Sequence, residues 1–269
     1  MSEKYVQQIL DARETCNVAA LNIGAAEGRY IPPLADKFST VHAFEADIWS
    51  PGKVPAIKEA YKKALISPSI TEITKLTKLY ENAIISSGHA PTVEAAYKAA
   101  MNILNQGVIA SPFNWNNVYI IPKAVNSTCG KVKLYISDLN IGRHTINENH
   151  WQHHGATWGY SNKAEEVDAV TIDEYCKELV VGCIVCDIEG GEAFIFEGAK
   201  KTLANNEIDV IIELHDGINF NSMIDVFTEL DYRLYLEVAQ SDDGMNHALF
   251  SNRDQWKINI PDFMQKFEF

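Results

Sequence analysis

At 269 residues the chain suits one large α/β domain, or such a core carrying an insertion, and it can bury a sizeable interior. A formal charge of -13 excludes duplex nucleic acid as a natural partner, because phosphate backbones demand clustered Lys and Arg. No basic leader precedes an apolar run, and no stretch approaches the roughly 20 apolar residues that span a bilayer, so the expectation is a soluble, cytoplasmic protein without a membrane partner.

The first element is the short apolar run Val18-Ala19-Ala20-Leu21, the pattern of a parallel strand covered on both faces, predicted over 17 to 22. It leads into Asn22-Ile23-Gly24-Ala25-Ala26-Glu27-Gly28, where Gly24 and Gly28 permit a tight turn that lets backbone approach a ligand. A helix over 30 to 38 follows, with Pro32 and Pro33 tolerated in its first turn, and then a strand over 41 to 45. Glu45 lies 21 positions beyond Gly24, where a carboxylate can accept both hydroxyls of a ribose. Two cofactor classes fit this geometry. A dinucleotide asks for a middle glycine where this chain has Ala26 and a third where it has Arg29, and the acid Glu27 opposes a phosphate. S-adenosylmethionine has a ribose but no phosphate, and its sulfonium is a cation that a carboxylate tolerates.

From Asp47 to Trp115 the strand–helix alternation stops, and three successive apolar periodicities of helical spacing are punctuated by Pro51, Pro68 and Pro91. A crossover between parallel strands needs only about a dozen residues, so most of 48 to 114 reads as a helical insertion. It is either a lid over the site or a structural or dimerising flap, and a homo-oligomer stays open. The core is then residues 1 to 47 and 115 to 269.

Further strands are predicted over 117 to 121, 131 to 137, 182 to 187, 207 to 213, 232 to 238 and 246 to 250, with helices over 171 to 178, 191 to 204 and 220 to 230. Ser241-Asp242-Asp243-Gly244 predicts an antiparallel hairpin between the last two strands. His144, His150, His153 and His154, around Trp151, lie in a stretch without helical period that ends at Gly155, and it reads as part of a loop over 138 to 165. As a helix it would set His150 and His154 on one face, fit for a transition metal. Five cysteines without a secretory leader are expected to be free thiols. Cys183 and Cys186, three apart on a strand, would point to opposite faces and pack in the core rather than chelate.

The segment Cys186-Asp187-Ile188-Glu189-Gly190-Gly191-Glu192, followed by Gly198-Ala199 and Ile211-Ile212-Glu213-Leu214-His215, resembles the FkbM-type family of S-adenosylmethionine-dependent methyltransferases. The glycine turn, Ala43-Phe44-Glu45 and Lys123-Ala124-Val125-Asn126 are similar as well. The likeness covers roughly 16 to 47 and 116 to 250, and the chain departs from it at Asn22, where the family usually has an acid, and at Ala26. The resemblance implies a doubly wound, mostly parallel seven-stranded α/β sheet of the class I methyltransferase type, with its last hairpin reversing one strand.

Asn22, Glu45, Asp187 and Glu213 are then expected to face one crevice beyond the strands' carboxyl ends. Asn22, Gly24, Ala25 and Gly28 would wrap the methionine part, Glu45 the ribose, and Ala124 and Val125 the adenine. Transfer of a methyl group to an alcohol also needs a proton acceptor, for which Asp187, Glu189 and His215 are candidates. Asp187, Glu213 and His215 can alternatively be read as ligands of a divalent metal. Glu192 has a competing reading as a carboxylate meeting a helix dipole. The expected activity is O-methylation of a sugar, glycan or natural product. The alternatives are an NAD-dependent oxidoreductase or sugar epimerase, and a binding protein without turnover.

Overall fold

The computed structural model describes residues 3–25, 30–46, 117–137, 143–154, 160–214, 220–237, 246–258 and 264–267. The expected insertion, Gly28, His215 and the turn at 241 to 244 lie outside these residues.

An eight-stranded sheet organises the chain in the order β11-β9-β10-β8-β7-β1-β2-β3. Its centre is β1 (Cys16–Ile23), flanked by β2 (Phe38–Phe44) and β7 (Val181–Cys186), with β3 (Val118–Ile121) and β8 (Asp209–Leu214) outside them. These five strands are parallel. Their sequences are near-continuous apolar runs because both faces are covered, and all six residues of β7 are buried. The hairpin expected near the end of the chain forms between β9 (Arg233–Glu237) and β10 (Asn246–Ser251), in antiparallel register with Ala248 opposite Leu236. β10 also runs antiparallel to β8, so the hairpin reverses β10 as expected. An unforeseen β11 (Met264–Phe267) extends the edge beyond β9.

Helices cover both faces. On one face α1 (Glu3–Asp11) and α2 (Ile31–Lys37) bring Tyr5, Val6, Ile9, Leu10, Tyr30 and Leu34 against Ala20, Val41, Cys183, Val185 and Ile211. On the other, α5 (Glu192–Glu197), α6 (Lys200–Asn205) and α7 (Phe220–Glu229) place Ile195, Phe196, Leu203, Met223 and Phe227 against Leu21, Ile23, Ile184, Cys186 and Ile212. Cys183 and Cys186 belong to opposite faces, and every cysteine is a free thiol. Among the described residues no helix is long and apolar enough to cross a membrane.

Four expectations are corrected. The strand over 131 to 137 is β5 (Gly130–Ser137), and it leaves the main sheet to form a second one, β4-β6-β5, with β4 (Ala124–Val125) and β6 (Tyr160–Val170). The loop expected over 138 to 165 contains the helix α3 (Glu148–His154) and the start of β6. Asn147 starts α3: its Oδ1 accepts the N–H groups of Asn149 at 3.0 Å and His150 at 3.3 Å, satisfying donors the helix cannot. The helix over 191 to 204 divides at Gly198 into α5 and α6, and that over 171 to 178 shrinks to α4 (Ile172–Tyr175), capped by the Thr171 hydroxyl.

At the amino edge of the central strands, Arg13 is buried against Asp209 with 2.7 Å between Nη1 and Oδ2. The same Nη1 donates to the Gly182 carbonyl at 2.7 Å. Breaking such a pair strands a buried charge, so Asp209→Ala is expected to lower the unfolding free energy by about 3–5 kcal/mol in urea titrations. A loss below about 1 kcal/mol, the range of a surface pair, would show that the pin is dispensable.

Candidate active site

The chain leaves β1 toward β2 on one side and returns as β7 on the other, which makes the carboxyl ends of β1 and β7 a topological switch point where open α/β sheets hold ligands. A pocket lies there, its wall including Ile23, Gly24, Phe44, Glu45, Ala124, Val125, Asp187 and Glu189.

Gly24 sets the floor. Its φ is 74°, and an added Cβ would lie 2.1 Å from the Asp187 carbonyl oxygen, so any side chain here would force β1 and β7 apart. The N–H groups of Gly24 and Ala25 both donate to the Phe44 carbonyl, at 3.0 and 2.9 Å, and the Asp187 N–H donates to the Ile23 carbonyl at 3.0 Å. The ends of β1, β2 and β7 are thereby held in one plane, with Glu45 and Asp187 at the rim.

Asp187 is partly exposed, and one of its oxygens, Oδ2, accepts the Tyr30 hydroxyl at 3.1 Å. Glu189 is held differently. Its carbonyl accepts the Thr145 hydroxyl at 2.5 Å, the next carbonyl, of Gly190, accepts Asn147 Nδ2 at 2.5 Å, and its Oε2 is 3.9 Å from His150 Nε2. Gly190, at φ 78°, leaves room for the His150 ring, which a Cβ there would meet at 2.6 Å. Residues 143 to 154 therefore clasp the acidic segment from outside, and His144, Thr145 and Ile146 complete the pocket wall. His144 Nδ1 accepts the Ser137 N–H at 3.1 Å, so its neutral ring carries the proton on Nε2 and is a donor there. Burial, with Glu192 and Asp187 adding to it, pushes the Cys186 thiol well above its ordinary range, so it contributes no charge beside Asp187.

The expectation of one crevice shared by Asn22, Glu45, Asp187 and Glu213 is corrected. Glu45 and Asp187 line the pocket, with Gly24, Ala124, Val125 and Glu189, but Asn22 and Glu213 do not. Position along the strands explains it: Asn22 lies within β1, paired with Val185, and Glu213 within β8, whereas Glu45 and Asp187 follow the last residues of β2 and β7. Asn22 is fully buried, and its carboxamide makes no hydrogen bond among the described residues. Glu213 is 2% exposed and sits in register with His247. Ala25 is buried beside Ile31 and Ala43 rather than on the pocket wall, and Glu192 is buried in the first turn of α5. His150 and His154 do share a helical face, with ring centroids 4.5 Å apart, yet no group of three His, Cys, Asp or Glu fit to hold a metal occurs among the described residues.

Tyr30, Lys123, His144 and Thr145 are site residues that sequence reasoning did not assign. Tyr30 had a readable signal, since it follows the glycine turn directly. Thr145 had none, because the clasp depends on a helix hidden by its histidines.

The fold is a doubly wound α/β sheet with a pocket rimmed by carboxylates at its switch point. Residues 12–234 match the model of the methyltransferase FkbM domain, and the chain belongs to that family. No curated protein matches the sequence. Among solved structures the chain is similar to a methyltransferase FkbM from Methylobacillus flagellatus, at 12% identity and TM-score 0.42, covering 88% of this chain and 44% of that one. This chain thus spans less than half the length of that relative. It is also similar to a precorrin-6y C5,15-methyltransferase from Geobacter metallireducens, at 7% identity and TM-score 0.40, covering 93% of this chain and 87% of that one. A third is a Streptococcus mutans protein solved with S-adenosylhomocysteine, at 10% identity and TM-score 0.40, covering 92% of this chain and 96% of that one.

Because Asn147 both caps α3 and holds the Gly190 carbonyl, Asn147→Ala is expected to cost about 1–2 kcal/mol in denaturant unfolding. A change inside experimental error would mean the clasp is incidental.

Proposed function

We propose that the chain is an S-adenosylmethionine-dependent O-methyltransferase acting on a hydroxyl of a sugar, glycan or natural product. The observation that carries this reading is the grouping of Gly24, Glu45 and Asp187 on one pocket at the switch point of a methyltransferase-family fold. The donor set suits this cofactor: a glycine floor that no side chain could share, carboxylates for ribose hydroxyls and for a cation, and apolar Phe44, Ala124 and Val125 for a flat ring. S-adenosylmethionine, when bound, supplies a methyl group on a positively charged sulfur.

In this reading Glu45 accepts the ribose hydroxyls, and Ala124 and Val125 border the adenine. Asp187 accepts the proton of the acceptor hydroxyl, so that the attacking oxygen does not build up positive charge as its bond to carbon forms. Holding that oxygen in line with the departing sulfur provides much of the acceleration. Glu189, occupied by the clasp, is the second candidate for the proton, and His215 the third. The reading needs no metal. The acceptor carries no phosphate requirement, in keeping with the acidic rim and the charge of -13.

Calorimetry is expected to show binding of S-adenosylhomocysteine and none of NAD, with Glu45→Gln weakening the former about tenfold through loss of charged hydrogen bonds. NAD binding in its place would favour the oxidoreductase reading. On an acceptor found by screening simple glycosides with methyl-labelled cofactor, Asp187→Asn is expected to slow turnover about 10²–10⁴-fold, the usual worth of a positioned base. Chelator-treated enzyme is expected to keep its activity. Recovery only on adding magnesium or manganese would overturn the metal-free mechanism.

A further inference from the structure

A carboxylate positioned to act on a ligand needs a fixed plane as well as a fixed backbone, and the Asp χ2 torsion that sets this plane is intrinsically broad. The backbone of Asp187 is already held, by its N–H on the Ile23 carbonyl and by the close approach of Gly24 to its carbonyl. These backbone contacts leave the plane of the carboxylate to be set by its side-chain contacts. The Tyr30 hydroxyl, 3.1 Å from Oδ2, acts on that plane across 157 residues of sequence.

Tyr30 is suited to this. Its ring is 4% exposed and packed in the cluster of Leu34, Phe38, Val41, Cys183 and Val185, so the phenol has little room to move. It stands at the cap position of α2. A phenylalanine would fill the same apolar space, and the oxygen is the part that packing does not require. Buried tyrosine hydroxyls find partners, and this one reaches a pocket carboxylate.

We propose that Tyr30 is the positioning residue of Asp187, fixing its carboxylate as an oriented negative charge toward the cationic centre of the cofactor before ligand arrives. This rests on the S-adenosylmethionine reading above. Orientation set in advance costs no rearrangement when a cationic ligand arrives, so the attraction goes into affinity for the charged cofactor. The Tyr30 bond ties together the element that follows the glycine turn and the strand that carries the proton acceptor, so each depends on the other's placement.

The test compares two ligands that differ in charge at one position: S-adenosylhomocysteine, with a neutral sulfur, and sinefungin, with a protonated amine where the sulfonium lies. Wild-type protein is expected to prefer sinefungin about tenfold by calorimetry, the equivalent of about 1.4 kcal/mol. Asp187→Asn is expected to lose that preference. Tyr30→Phe is expected to fall to within about twofold of Asp187→Asn while its affinity for S-adenosylhomocysteine and its melting temperature stay near wild type, a pattern that lost packing would not give. If Tyr30→Phe keeps the wild-type preference, or if Asp187→Asn keeps it too, the proposal is overturned. Should Tyr30→Phe not fold, an ortho-fluorotyrosine at position 30 keeps the ring and changes only the acidity of its hydroxyl, and an unaltered preference overturns the proposal. Failure of the wild type to bind either ligand is a separate result, which removes the cofactor reading itself and this proposal with it.

Discussion

The buried contact between Arg13 and Asp209 is the constraint on which the sheet depends. Asp209 opens β8, Gly182 belongs to the start of β7, and Arg13 follows α1, so one guanidinium joins two central strands to the first helix. The other carboxylate oxygen of Asp209 accepts the Ser251 hydroxyl at 2.5 Å and the Trp256 indole N–H at 2.7 Å, which adds β10 and α8 (Gln255–Ile258) to the same point. Burying charge costs several kcal/mol per ion unless geometry and hydrogen bonds are good, and here the surrounding partners supply both. The opposite, carboxyl edge carries the positive-φ Gly24 and the carboxylates at the pocket.

Much of the main sheet was legible because its physics is local to each strand. Val181 to Cys186 and Val210 to Ile212 are apolar without interruption, and such runs permit little but a doubly covered strand. Gly24 was legible for a related reason, since it answers a backbone demand made within a few residues of itself. β6 was not. Its Lys163, Glu165, Glu166 and Asp168 are polar, as a small half-exposed sheet allows, and no apolar period announces it. Helix α3 was hidden because a histidine cluster draws attention to metal chemistry, whereas the signal lay in Asn147 just before it. Asn22 and Glu213 lie within their strands, but four acidic or amide residues near strand ends invited the reading of a single crevice.

The two acids of the Asp-x-Glu segment, alike in sequence, differ in their surroundings. Asp187 meets a neutral phenol across the sheet, which orients a charge without cancelling it. Glu189 is bound to a clasp of Thr145, Asn147 and His150, whose own support is the second sheet: Tyr135 of β5 pairs with Thr145 and its ring stacks on Trp151 at 4.8 Å. The second sheet thus acts as a bracket for the backbone on which the pocket's acids stand. Cys186, kept protonated by burial just before them, adds no competing negative charge.

The parallel pairing of β1 with β7 has a consequence for how the chain is made. Asn22 meets Val185 and Ile23 meets Cys186, so β1 keeps one hydrogen-bonding edge open until β7 has been translated. β2 can seal the other edge early, because it follows almost at once. The pocket has no floor until the segment bearing Asp187 arrives, since that segment's carbonyl is what Gly24 packs against. A nascent chain therefore exposes a strand edge suited to a chaperone from the synthesis of β1 to that of β7, and it has no place for ligand to bind before Asp187 is made.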